Sequence, residues 1–152
     1  MLRTIERWIT PGPGTAAFID PLFRVLTSLI FIIGGLGHFG AHQEMLDRIA
    51  ESPWAAEVNM IGDPSWLLWL SGGAFVVAGL TLAVGWMTRA SAIILFVTLV
   101  PITFAIHIAP GHTGPLFKNV AILGALILIW ARGPGAWALD SRHRAPDNGP
   151  SG

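Results

Sequence analysis

Four apolar runs, each close to the length that crosses a bilayer, predict an all-α membrane protein built as a four-transmembrane-helix bundle. Composition points the same way: 53% of the 152 residues are hydrophobic, only 12% are charged, and the mean hydropathy is +0.62. An ordinary soluble domain carries about 25% charged residues, so a water-facing surface cannot be made from this chain. The third observation is an uneven division of Lys and Arg between the two ends that the runs define.

The length allows one domain and leaves no room for a separate soluble enzyme. Zero formal net charge without a basic patch argues against nucleic acid as a partner. With no cysteine, disulfides, thiolate metal sites, iron–sulfur clusters and thiol redox catalysis by this chain are excluded. A redox role therefore needs a bound cofactor or a partner.

The elements follow in order. Residues 1–20 read as an interfacial segment: Leu2, Ile5, Trp8 and Ile9 recur at helical spacing until Pro11, Gly12, Pro13 and Gly14 interrupt them. Arg3, Glu6 and Arg7 make this start unlike a cleavable signal peptide, so the first span is expected to target the chain. The membrane domain covers 21–140. Its first span is 22–40, with Arg24 one turn inside, placed to snorkel or to pair with Asp20 or Asp140. Residues 41–63 hold Glu44, Asp47, Glu51, Glu57 and Asp63 against Arg48 alone, an acidic extramembrane loop with one or two short amphipathic helices. The second span, 65–88, is free of charge, and its Ser71, Gly72, Gly73, Ala78 and Gly79 suit close helix packing in lipid. A tight link returns the chain into the third span, 90–108, where Pro101 predicts a kink and freed carbonyls. The fourth span, 116–132, has Lys118 and Arg132 near its ends, and residues 141–152 form a polar tail rich in Pro and Gly.

Arg3, Arg7, Arg24, Arg89, Arg132, Arg142 and Arg144 fall on one side of this arrangement, and only Arg48 and Lys118 on the other. The positive-inside rule then predicts a cytoplasmic N-terminus and C-terminus. Trp54, Trp66 and Trp69 lie near the outer boundary, and Trp8, Trp86, Trp130 and Trp137 near the inner one, as aromatic belts. In that topology His38 and His42 end the first outward helix, and His107 and His112 end the second, with Lys118 beside them.

His38 and His42 share a face if the helix persists between them, and Gly34, Gly35, Gly37 and Gly40 leave space alongside. Joined by His107 or His112, they could bind Zn or Cu; His38 and His107 could ligate a haem between helices. No metalloenzyme motif accompanies them, so no metal site and no catalytic residue is assigned. A quinone asks for less: one imidazole, an aromatic neighbour and a gap between small residues. Against these readings, His42 and His112 at the interface also suit plain solvation or headgroup contact, and Lys118 suits snorkelling. His38 and His107, nearer the hydrocarbon, carry the stronger functional expectation, because ionisable groups inside a membrane are costly.

The stretch GPLFKNVAILGALILIWARGPGAWALDSR, residues 114–142, resembles the C-terminal signature of the DoxX family, and Arg24 with GGLGHF and GWMTRASA resembles its first helix and second link. The resemblance implies a four-helix integral protein of the bacterial inner membrane, in named members a small subunit associated with thiosulfate:quinone oxidoreductase or other membrane redox complexes. By matching position it implies that Arg24, Lys118, Asn119 and Asp140 form a polar signature. The chain departs from the family in carrying His38 where a Lys is frequent, and the apolar Ala74 and Phe75 where an acidic residue is frequent.

The combined expectation is an accessory subunit of a quinone-linked redox complex, not catalytic on its own, that contacts quinone or lipid at the periplasmic level. His38, His42, His107, His112 and Lys118 are the ligand-binding candidates. Its partners would be the bilayer and a larger complex or further copies of itself. A purely structural subunit of an electron-transfer or light-harvesting assembly, and a bis-histidine haem protein, are the alternatives.

Overall fold

The computed structural model of the protein describes residues 10, 12–108 and 113–142. Seven α-helices are present among them: α1 Pro13–Gly40, α2 His42–Ala50, α3 Ala55–Ile61, α4 Pro64–Val84, α5 Thr88–Ile102, α6 Thr113–Arg132 and α7 Leu139–Arg142. A five-residue π-helical turn, Thr103–His107, continues α5. Four stretches are long and apolar enough to cross a membrane: Ala17–Gly40, Pro64–Val84, Thr88–His107 and Thr113–Arg132. The interfacial helix expected near Trp8, together with Arg3, Arg7, His112 and the tail from 143, lies outside the described residues.

The helices stack in chain order, α1 along α4, α4 on α5, and α5 on α6, with a lighter contact closing α6 onto α1. Phe31, Phe75, Leu82, Leu95, Leu99, Ile122 and Leu126 from all four spans form one core, where Phe31 meets Phe75 edge-on at 5.2 Å. Away from that seam the spans expose Ile33, Leu70, Val77 and Val97 outward, the arrangement of helices whose solvent is lipid. All six described tryptophans are exposed.

Small residues set the closest crossing. A Cβ on Gly35 would lie 2.7 Å from the Gly72 carbonyl oxygen and 2.9 Å from the Phe75 Cβ, while one on Gly72 would meet the His38 Cβ at 2.9 Å. The α1 and α4 backbones therefore touch where a side chain would hold them apart. Gly34 and Gly40 face open space, so the glycine series of the first span divides between packing and clearance.

The α4–α5 link is a tight reversal. Gly85 adopts φ 73°, and the N–H groups of Gly85 and Trp86 donate to the carbonyls of Leu82 and Thr81 at 3.1 and 2.9 Å, closing α4 with a left-handed cap. At the other end of α4, Asp63 accepts from the N–H groups of Ser65 and Trp66 and Pro64 occupies the first turn, a standard helix start.

The acidic loop is ordered into α2 and α3, which fold over the end of α4. Ile49, Val58 and Leu68 form a second small core with Met45, Leu46, Leu67, Ala105 and Ile106 around it. The π turn explains how the loop is fastened. Pro101 cannot donate to the preceding turn, and the wider turn beyond it turns carbonyls outward. The Ser52 hydroxyl donates to the Ala105 carbonyl, and the Trp54 indole N–H to that of Ile108 at 3.1 Å.

Candidate functional site

The two ends of the bundle use their polar residues differently. At the arginine-rich end, Arg24 is buried with 4% of its surface exposed. Its guanidinium donates to the Ala83 carbonyl at 3.3 Å and to the Pro134 carbonyl. The sequence offers Asp20 or Asp140 as ion-pair partners; instead Arg24 bonds one carbonyl at the negative end of α4, that of Ala83, and one beyond the end of α6, that of Pro134, and Asp20 pairs with Arg132 at 3.1 Å. Asp140 acts as a helix cap from a distance. Its carboxylate accepts from Met87 N–H, Thr88 N–H and the Thr88 hydroxyl, each at 2.8 Å, while its own N–H donates to the Gly85 carbonyl at 3.0 Å. Burial pushes the Asp140 carboxyl up, but the Thr88 and Met87 hydrogen bonds and the Arg24 charge outweigh it and hold the group below the ordinary value of 3.8.

Asn119 has the same architectural character at the opposite end. It is buried, and its Nδ2 donates to the Thr103 hydroxyl at 3.0 Å, while that hydroxyl donates to the Leu99 carbonyl at 2.7 Å. This chain ties α6 to the π turn. The neighbouring Lys118 is exposed and makes no hydrogen bond or ion pair among the described residues.

The histidine level is built on the α1–α4 seam. His38 is buried, with Nδ1 3.1 Å from the Ser71 hydroxyl and 3.4 Å from the Leu68 carbonyl. A carbonyl only accepts, so Nδ1 carries the proton, and the Ser71 hydroxyl passes its own to Leu68 at 3.1 Å. Nε2 of His38 is then a lone-pair acceptor with no intramolecular partner among the described residues. His42 opens α2 just past the α1 terminus. Its Nδ1 donates to the His38 carbonyl at 3.3 Å, and its Nε2 accepts from the Ser65 hydroxyl at 2.9 Å. Both nitrogens of His42 are thus engaged within the chain.

Aromatic rings border these imidazoles. Phe39 stacks on Trp69 with centroids 5.0 Å apart, His42 lies tilted against the same indole at 5.1 Å, and His38 sits 5.6 Å from Phe75. His107 ends the π turn, which packs on α2, α5 and α6, and its Nδ1 is buried there. The fold thus brings His38 and His42 together on α4 and places His107 on a different seam. Among the described residues no group of three His, Asp or Glu side chains is placed to hold a metal ion. Ser65, Ser71, Trp69 and Thr103 are the partners that sequence reasoning missed. The serines lie six apart in a charge-free span, where Ser71 reads as a small packing residue.

The sequence model of the DoxX family matches residues 19–108, more than half of the chain. The chain belongs to the DoxX family. No curated relative and no solved structure matches it. The DoxX match contains Arg24, His38, His42 and His107, with the GGLGHF and GWMTRASA segments, and ends before Lys118, Asn119 and Asp140. Family membership and four membrane-length helices make this a DoxX membrane protein of multi-pass type.

Proposed function

We propose that this DoxX protein is an accessory subunit of a quinone-linked redox complex in the bacterial inner membrane, with its histidine end periplasmic and its termini cytoplasmic. In this reading His38 meets a quinol hydroxyl and Trp69 flanks the ring. The observation that carries it is the Nε2 of His38, a proton-accepting atom whose ring is aligned by Ser71 and Leu68 beside Phe75, on the same α1–α4 seam where the half-exposed Trp69 indole packs on Phe39 and His42. His42 holds the local geometry through Ser65, and Lys118 and His107 would contact lipid headgroups or the partner. The seven arginines on the terminal side support the orientation.

Extraction of gently purified protein tests the reading. Co-purifying quinone is expected in the wild type and should fall at least about tenfold in His38→Leu, the scale of one buried hydrogen bond to a ligand. Quinone-free wild-type protein that also binds none on titration sinks it.

A second reading, a structural subunit without ligand chemistry, is favoured by the intramolecular bonding of both His42 nitrogens. It expects His38→Gln and His107→Gln to leave complex assembly and electron transfer unchanged.

A further inference from the structure

A groove between α5 and α6, lying at the arginine-rich end, is separate from the histidine level. It has a volume of about 190 Å³ and is lined by Ala92, Ile93 and Phe96 on α5 and by Leu126, Ile127 and Trp130 on α6. Every lining side chain is apolar except for the indole N–H of Trp130, which sits in the last turn of α6, where an indole marks the headgroup boundary.

An exposed cation, Arg89, lines the polar cleft at the start of α5, on the side of the groove toward the chain's arginine-rich end. Arg89 is in the first turn of α5, four residues before Ile93 and seven before Phe96, and so on their face of the helix. It reaches over the end of α6: a Cβ on Gly133, whose φ is 83°, would lie 3.2 Å from Nη2 of Arg89. Arg89 makes no hydrogen bond or ion pair among the described residues. Its neighbours are already engaged, Arg24 by two carbonyls and Arg132 by Asp20. The carboxylate nearest in the adjoining polar cleft, that of Asp140, accepts from Met87 and Thr88. A cation at headgroup depth above an apolar groove is complementary to a molecule with a phosphate at one end and a hydrocarbon chain at the other.

We propose that the α5–α6 groove binds an anionic glycerophospholipid of the leaflet on the arginine-rich side, with one acyl chain against Phe96 and Trp130 and the phosphate on Arg89. The inference stands independently of any quinone at His38. Native mass spectrometry of the delipidated full-length protein, re-supplied with phosphatidylglycerol or phosphatidylcholine, tests it. The wild type should retain phosphatidylglycerol about fivefold better, as expected for one arginine at a membrane surface. Arg89→Gln should abolish that preference, whereas Arg142→Gln should keep it. Ile93→Trp, which fills the groove, should reduce retention of both lipids, and circular dichroism checks that each variant is folded. Equal retention of the two lipids by the wild type, a preference that survives Arg89→Gln, or unchanged retention in a folded Ile93→Trp protein overturns the proposal. So does displacement of phosphatidylglycerol by millimolar inorganic phosphate, which would mark a free-anion site.

Discussion

The arginine end and the histidine end of the bundle are both polar, yet their buried side chains are engaged to different extents. Arg24 and Asp140 bond backbone groups from segments far away in the chain, Ala83, Pro134, Met87 and Thr88, and so tie the C-terminal segment and α1 to the α4–α5 turn. His38 and His42 bond the Leu68 and His38 carbonyls and the hydroxyls of Ser71 and Ser65, all within α1, α4 and the start of α2, and one imidazole nitrogen is left over. Polar groups committed to backbone hold architecture; a spare acceptor in an aromatic setting is free for a ligand. The difference predicts that variants at the two ends separate stability from binding.

The largest effect is expected at Arg24. Replacing it by Met leaves two carbonyls without a charged donor, and hydrogen bonds of that kind are worth about 1.5–3 kcal/mol each, so unfolding in detergent should require about 3 kcal/mol less. Any quinone bound at the other end should be retained by the molecules that fold. Loss of quinone with unchanged stability would invert the comparison.

Asp140→Asn keeps one acceptor oxygen but loses the other and the negative charge, and is expected to cost about 1.5 kcal/mol, the scale of one hydrogen bond to a charged group. It also carries a pH signature. Because the folded carboxyl sits below its ordinary value of 3.8, its contribution is complete above that value and is lost as pH falls through the lower folded pKa. Acid titration of stability in the wild type should show this loss below about pH 4, and the Asn variant should lack that component.

A smaller change is expected at Asn119. Asn119→Leu removes the donor to Thr103, for about 1 kcal/mol, in the range of interhelical hydrogen bonds in membranes. A double-mutant cycle with Thr103→Val should recover most of that energy as coupling; additive losses would show that the two side chains act separately.

Much of this fold is legible in the sequence, because apolar length and small residues are written in the residues themselves. The four spans, the two short helices of the acidic loop and the disturbance after Pro101 follow from that pattern. The start of α1 does not. Its helix begins at Pro13 and runs through Pro21, whereas a proline before an apolar run reads as a boundary. The target of Arg24 is equally invisible, since carbonyl acceptors carry no residue signature, and a carboxylate was the natural expectation. The π turn also escaped: proline predicts a kink, but the Ser52 and Trp54 donors that use its carbonyls come from about fifty residues away in the chain. At the histidine level, the sequence pairs His38 and His42 if one helix runs through both; α1 instead ends at Gly40, and the two meet across Ala41 through the His42 bond to the His38 carbonyl, while their serine partners emerge only from the antiparallel register of α1 and α4.

The measurement that bears most directly on the division of labour is saturable quenching of tryptophan fluorescence by a short-chain quinone, with the protein in nanodiscs. Saturation is expected in the wild type and in Asp140→Asn alike, with loss of the saturable part in His38→Leu and a strongly reduced amplitude in Trp69→Phe. Quenching that rises linearly in the wild type, or that survives His38→Leu unchanged, would contradict a ligand site at the histidine end.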